Sequence, residues 1–212
     1  MQTFWNQQDF EVFETPGLEE RMELLISRVR PKFEELGDNY AAFFSALTGK
    51  EFYPHVAKHM RRSVNPPNDS WVAFASYKRG YKALPHFQIG LWKSHVFVIL
   101  AVIYEAPGKS AMAELLLQSD TVASLPGDFM LSGDHMKPDA AALGELSPAE
   151  IEKTIIRLRD VKKGEFVIGR HLPREAAVNM TTDDFHKFLE ATFEELLPVY
   201  NTLLENTKVP QR

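Results

Sequence analysis

The 212-residue sequence contains no cysteine. That excludes disulfides, thiolate nucleophiles, zinc ribbons and cysteine-ligated iron–sulfur clusters together, and it fits a reducing compartment. The amino-terminal MQTFWNQQDFEVF has neither the basic stretch nor the apolar stretch of a secretory signal. The longest apolar run, 96–104, is too short to span a bilayer. A soluble, cytoplasmic protein without a membrane partner is expected. Familiar catalytic signatures are missing as well. His55 and His59 are four apart, but Val56 and Ala57 follow the first histidine where the metalloprotease helix needs a glutamate, so no metal ligand is assigned. Pro107-Gly108-Lys109-Ser110 follows an apolar strand, yet Ile103 stands where a phosphate-binding P-loop places its first glycine. That stretch reads as a helix start able to hold at most one anion. Asp134 and His135 are adjacent, which in an extended chain points them apart and disfavours a relay between them. Convergence of several of the seven histidines with carboxylates, as a metal hydrolase needs, is not specified by any spacing. No cofactor is indicated, and whether the protein is an enzyme stays open.

What is present points to one α+β domain over residues 1–212, with a largely antiparallel central sheet flanked by helices. His86-Phe87-Gln88-Ile89-Gly90-Leu91-Trp92 alternates polar and apolar, the period of a half-buried strand. The apolar, β-branched run from His95 to Tyr104 reads as a central strand covered on both faces. Only Lys93-Ser94 separates the two, so a tight hairpin joins them. Its register pairs Leu91 with Val96, Ile89 with Val98 and Phe87 with Leu100 on an oily face. The other face carries His86, Gln88, Gly90 and Trp92 opposite Ala101, Ile99, Phe97 and His95. A mid-strand glycine there permits close approach of a ligand or another backbone. Two readings stand: a pocket floor bounded by His86, Gln88 and Trp92, or a sheet face covered by other side chains.

Further strands are expected at Phe10–Phe13, Phe52–Lys58, Trp71–Ser76, Phe129–Leu131 and Glu165–His171. Thr15-Pro16 looks like an N-cap and first helical residue, Pro31 an interruption, and Gly37-Asp38 the boundary of a further helix ended at Thr48-Gly49. Ser147, Pro148 and Glu150 start another helix. A carboxy-terminal helix is capped at Thr181 or Thr182 and carries Phe185, Phe188, Leu189, Phe193, Leu196 and Tyr200 on its apolar stripe.

The net charge of −5 argues against a partner in double-stranded DNA, but it hides an asymmetry. Residues 50–93 hold eight basic and two acidic side chains, a local +6 on a remainder of −11. Arg61 and Arg62 precede Asn65-Pro66-Pro67-Asn68-Asp69, a loop stiffened by two prolines; Lys78, Arg79 and Tyr81 lie in a basic, aromatic turn. Such a field is the footprint of a small anion or a short polyanion, or simply of a solvated surface.

These residues also carry a likeness. HVAKHMRRSVNPPNDSWVAFASYKRGYKALPHFQIGLW at 55–92, IYEAPGK at 103–109, SGDHMKP at 132–138 and VKKGEFVIGRHLPREAAV at 161–178 resemble the YktB-like family of small bacterial proteins, over nearly the whole chain. The resemblance implies a cytosolic α+β protein with an antiparallel sheet, in a topology like that of biotin ligase and class II aminoacyl-tRNA synthetase catalytic domains. It brings no activity, cofactor or catalytic residue with it.

Two functions are therefore expected to compete. One is binding, or processing, of a small phosphate- or carboxylate-bearing ligand over the His86-Gln88-Trp92 face. Arg61, Arg62, Asn68, Lys78, Arg79 and Tyr81 would surround it, with Arg170 and His171 at the rim. The other is a non-catalytic protein- or RNA-interaction module using the basic 50–93 surface from outside.

Overall fold

The computed structural model describes residues 2–205. Helices flank a largely antiparallel, seven-stranded sheet, the α+β class expected. In chain order the elements are α1 (Gln7–Glu11), α2 (Leu18–Leu24), α3 (Arg30–Thr48), β1 (Tyr53–Val56), β2 (Asp69–Ala75), β3 (His86–Trp92), β4 (His95–Val102), α4 (Lys109–Leu117), β5 (Met130–Ser132), β6 (Ala141–Ala142), α5 (Pro148–Asp160), β7 (Phe166–Pro173), α6 (Arg174–Asn179) and α7 (Thr182–Leu204). The strand order is β1-β2-β3-β4-β7-β5-β6. The chain divides into two compact units, 1–78 with 88–97 and 171–189, and 79–87 with 98–170 and 190–212.

In the first unit, Asn6 caps α1 through a reciprocal bond with Asp9, and the chain turns at once into a short 3-10 segment, Val12–Glu14. The strand expected at Phe10–Phe13 is therefore a helical turn: Asn6 and Asp9 form a capping box that outweighs the β-preference of the phenylalanines and valine. Gly17, with φ of 85°, takes the N-cap that Thr15 was expected to fill. Pro31 does not interrupt the next helix, because it sits in the first turn of α3, where its missing N–H is not needed. A π-helical turn, Leu25–Val29, joins α2 to α3. Helix α3 then runs straight through Gly37-Asp38 to the left-handed Gly49 at its end. The reason is packing: a Cβ at Gly37 would stand 3.1 Å from the Pro54 ring on β1. That glycine is a contact point for a strand, not a helix boundary. Strands β1 and β2 pair antiparallel, with His55 opposite Ala73.

In the second unit, Ser147 and Glu150 form the expected capping box of α5. Strand β5 lies between β6 and β7, antiparallel to both, with Met130 opposite Gly169. Phe87 meets two rings of α7, Phe193 at 5.6 Å and Tyr200 at 4.8 Å.

The β3–β4 connection is the two-residue Lys93-Ser94 turn, as expected. The half-buried alternation is not. All seven residues of β3 are buried, as are all eight of β4. The space over Gly90 is filled by the Phe97 ring, whose Cζ would lie 1.9 Å from a Cβ built there. His86 is fully buried, Gln88 and Trp92 nearly so. The polar residues of β3 thus belong to a buried interior, and the Phe97 ring stands where the cavity above Gly90 was expected.

Gly90→Val should therefore cost about 1–3 kcal/mol by overpacking against Phe97, read as a lower urea midpoint. Trimming the ring in Gly90→Val/Phe97→Ala should recover part of the clash. A Gly90→Val midpoint equal to that of the parent would show that the ring yields its place freely.

Candidate functional site

The first unit presents its basic residues on the loop between β1 and β2. The base of this loop is tied down from several sides. Buried Arg21 donates Nη1 to the Pro67 carbonyl at 2.8 Å, and Nε and Nη2 to the Thr15 carbonyl at 2.8 and 2.6 Å. Its planar fork suits this bridging of two loops, because several donors are fixed at once. Ala57 N–H donates to the Trp71 carbonyl, and Arg62 N–H to that of His59. His59 adopts a left-handed φ of 52°, the one positive-φ non-glycine residue among those described, and shares a 3.2 Å bond with Ser70 Oγ while its ring meets Trp71 edge-on. A strained histidine backbone held by packing often marks a functional loop.

Above that base the loop is open. Lys58, Arg61, Arg62 and Asn68 are exposed, and so are Met60 and Val64, at 85% and 76%. Burial, and after it the positive fields of Arg62 and Arg30, lower the His59 pKa to about 4. Arg30 therefore belongs to the same cluster, although it lies outside the basic stretch noted in the sequence. Among the described residues, neither Lys58, Arg30, Arg61, Arg62, Lys78 nor Arg79 forms an ion pair. Lys78 is exposed in the first unit, Arg79 in the second.

A second feature of the first unit is a histidine pair. The rings of His95 and His171 stack at 4.0 Å. His95 Nδ1 bonds Ser94 Oγ at 2.8 Å, and its buried Nε2 has no partner. Burial lowers His95 to about 4; burial, then the field of His95, lowers His171 to about 3. Both rings are neutral at pH 7, so neither supplies positive charge for an anion.

In the second unit, three further candidates have structural work. His86 Nδ1 lies 2.8 Å from the Leu84 carbonyl, and its ring meets Tyr81 at 4.7 Å. Arg170 lies over the Phe129 ring and is forked between Asp128 and Glu195, with bonds of 2.7–3.2 Å. An arginine so saturated is a tie between β7, the 128 loop and α7, and its charge is already met.

The second unit also holds a constellation that no spacing suggested. Glu165, at the start of β7, is 3% exposed. Its Oε2 accepts from the His135 backbone N–H at 2.9 Å and pairs with His135 Nδ1 at 2.7 Å; Oε1 accepts from Tyr104 N–H at 3.3 Å. Burial pushes the Glu165 carboxyl up, but the bonds from His135 outweigh it, and the group lies below the ordinary glutamate range. Histidine 135 thus pairs thirty residues away and not with its neighbour Asp134. The one available signal was a glutamate placed immediately before a strand of buried apolar residues.

Over residues 5–200 the chain matches the family described as Domain of unknown function (DUF1054). It is 57% identical to a UPF0637 protein of Lysinibacillus sphaericus, across 94% of this chain and 95% of that one. Identity is 48% with a UPF0637 protein of Bacillus velezensis, over 92% and 94%, and 46% with one of Bacillus cytotoxicus, over 95% and 97%. Among the described residues, no helix is long and apolar enough to cross a membrane.

Two outcomes are expected. Arg21→Met removes the tie to Pro67, so the basic loop should open more often and trypsin should cut after Arg61 or Arg62 about tenfold faster, a local opening cheaper by about 1.4 kcal/mol. Equal cleavage rates would mean that Arg21 does not hold the loop. The neutral histidines set a pH dependence. An unfolded histidine titrates near 6.5, whereas His59, His95 and His171 take up a proton in the fold only near 4, 4 and 3. The unfolded chain binds more protons between these values, so their contribution is intact above pH 6.5 and lost as pH falls toward 4. The urea midpoint should drop from pH 7 to pH 4.5, and drop less in His171→Phe. Equal midpoints at the two pH values would contradict the buried, neutral state.

Proposed function

The chain belongs to the DUF1054 family, and on that premise we propose that it is a non-catalytic binding protein whose 58–65 loop takes the phosphates of single-stranded RNA. The carrying observation is the set of cations clustered around His59, exposed Lys58, Arg61 and Arg62 with half-buried Arg30, without an acidic partner among the described residues. Arginine forks bind phosphate oxygens well, and leaving several unpaired on a held loop favours a partner that brings several negative charges. Exposed Met60 and Val64 on the same loop offer apolar contact to bases. The small-ligand alternative needs a concave pocket on the sheet face, and Phe97 occupies the place where that pocket was expected.

The test is fluorescence anisotropy with a labelled twenty-nucleotide single-stranded RNA. With about three or four phosphate contacts, log affinity should fall with log salt at a slope of roughly −2 to −3. Arg61→Glu/Arg62→Glu should abolish binding and leave the melting temperature unchanged, since both side chains are exposed. No binding at 50 mM salt, or binding indifferent to the charge reversal, overturns the proposal. A polyglutamate peptide that binds while RNA does not would assign the surface to an acidic protein, and a melting-temperature rise only with phosphorylated metabolites would return the small-ligand reading.

A further inference from the structure

The Glu165–His135 constellation lies in the second unit and is independent of the basic loop. A carboxyl group that is only 3% exposed must be matched by fixed donors or by a cation. Its fixed donors are two backbone N–H groups and one imidazole. The loop that brings the imidazole also brings a second carboxylate, Asp134, which accepts the Met136 N–H at 3.0 Å. One donor atom each from Asp134, His135 and Glu165 lies within 4.8 Å of the other two. We propose that these three residues bind a divalent first-row transition cation such as Mn²⁺ or Zn²⁺.

The chemistry of the donor set favours that class. One imidazole and two carboxylates suit manganese, iron(II) or zinc, whereas calcium and magnesium take oxygen ligands. His135 Nδ1 and Glu165 Oε2 face each other across 2.7 Å, the length of a shared proton. A cation with bonds of about 2.0–2.2 Å needs its ligands about 3.0–3.5 Å apart, so replacing that proton moves the pair by about half an ångström. Asp134 supplies the remaining adjustment from an exposed loop. Its Oδ2 faces the ammonium of Lys137 at 3.6 Å, an exposed contact that the cation displaces. The other two cations nearby are engaged elsewhere. Lys109 donates to the carbonyls of Leu158, Val161 and Gly164, and Arg157 donates to that of Gly133.

The rim is a separate observation. Tyr104 and Met136 are among the few large apolar side chains left exposed, at 43% and 59%, and their own N–H groups are the ones bonded to Glu165 and Asp134. Three protein donors leave further coordination positions for an outside ligand. An organic ligand with an oxygen donor and an apolar body fits such a place.

Isothermal titration of the full chain with MnCl₂ and with ZnCl₂, after dialysis against EDTA, tests the proposal. One cation should bind per chain, and His135→Ala and Asp134→Asn should each weaken it about 10–100-fold with the melting temperature little changed. His171→Gln, which alters the other histidine cluster, and Arg61→Glu/Arg62→Glu should bind as the parent does. Glu165→Gln should bind weakest; if it fails to fold, the two loop variants decide alone. No binding tighter than millimolar, binding unaffected by His135→Ala, or binding lost in His171→Gln instead, overturns the site.

Discussion

Complete burial of β3 and β4 is the constraint on which the rest depends. Every side chain on these adjacent strands, polar or not, is withdrawn from water. Apolar members such as Phe87, Ile89, Val96 and Val98 contribute roughly 1.5–3 kcal/mol each by leaving solvent. The polar members must find partners inside or remain uncharged. His86 does so through the Leu84 carbonyl, and His95 through Ser94 at one nitrogen only. Glycine at position 90 is the geometric expression of the same constraint, since the Phe97 ring can be buried there only where no Cβ stands. A sheet closed in this way cannot offer a ligand floor at its middle, and chemistry is pushed out to the loops.

On the loops, cations divide into two kinds. Arg21 and Arg170 are tethers: one is nearly buried against two carbonyls, the other forked between two carboxylates over an aromatic ring. Removing Arg21 leaves the buried Pro67 carbonyl unmet, a loss of about 1–3 kcal/mol, whereas the carboxylates that hold Arg170 are open to water. Among the described residues the side chains of Arg61 and Arg62 form no ion pair, and both are exposed, so their positive field reaches solvent within a Debye length of about 8–10 Å. Stability cannot account for a rigid loop that presents them, because exposed charges near one another repel. The stiff Pro66-Pro67 pair and the Arg21 anchor make better sense as the support of a surface kept in shape for a partner.

Much of the fold was legible because it rests on local chemistry. The Ser147–Glu150 capping box, the tight Lys93-Ser94 hairpin and the Gly49 helix end are each decided within a few residues. The misreadings arose where a long-range contact decided. Gly37 looks like a boundary until Pro54 is placed against it, and the polar face of β3 looks half-exposed until the Phe97 ring is placed over Gly90. Phe10–Phe13 failed for the opposite reason: Asn6 and Asp9 make a cap that outranks composition. Of the candidate site residues, Arg61, Arg62 and Asn68 lie exposed in one loop region, while His86, Gln88 and Trp92 are interior. Arg30 could be added only by its proximity to His59.

The histidines show why a cluster such as Glu165 with His135 escapes a sequence reading. His59, His95 and His171 are held neutral chiefly by burial, a property of surroundings assembled from distant segments. His135 differs in facing a carboxylate, and that carboxylate is nearly as buried as the core. If Glu165 served packing alone, an apolar residue of similar volume would fill its place at lower cost, since a buried ion pair rarely beats a hydrophobic contact in stability. A carboxyl group buried beside an imidazole, with a second carboxylate on the covering loop, is the donor set on which the proposed cation site rests. The pairing spans thirty residues and joins a strand start to an irregular loop, so no period or motif announces it. It becomes visible only when the topology sets β7 beside β5, and the loop that follows β5 then closes over Glu165.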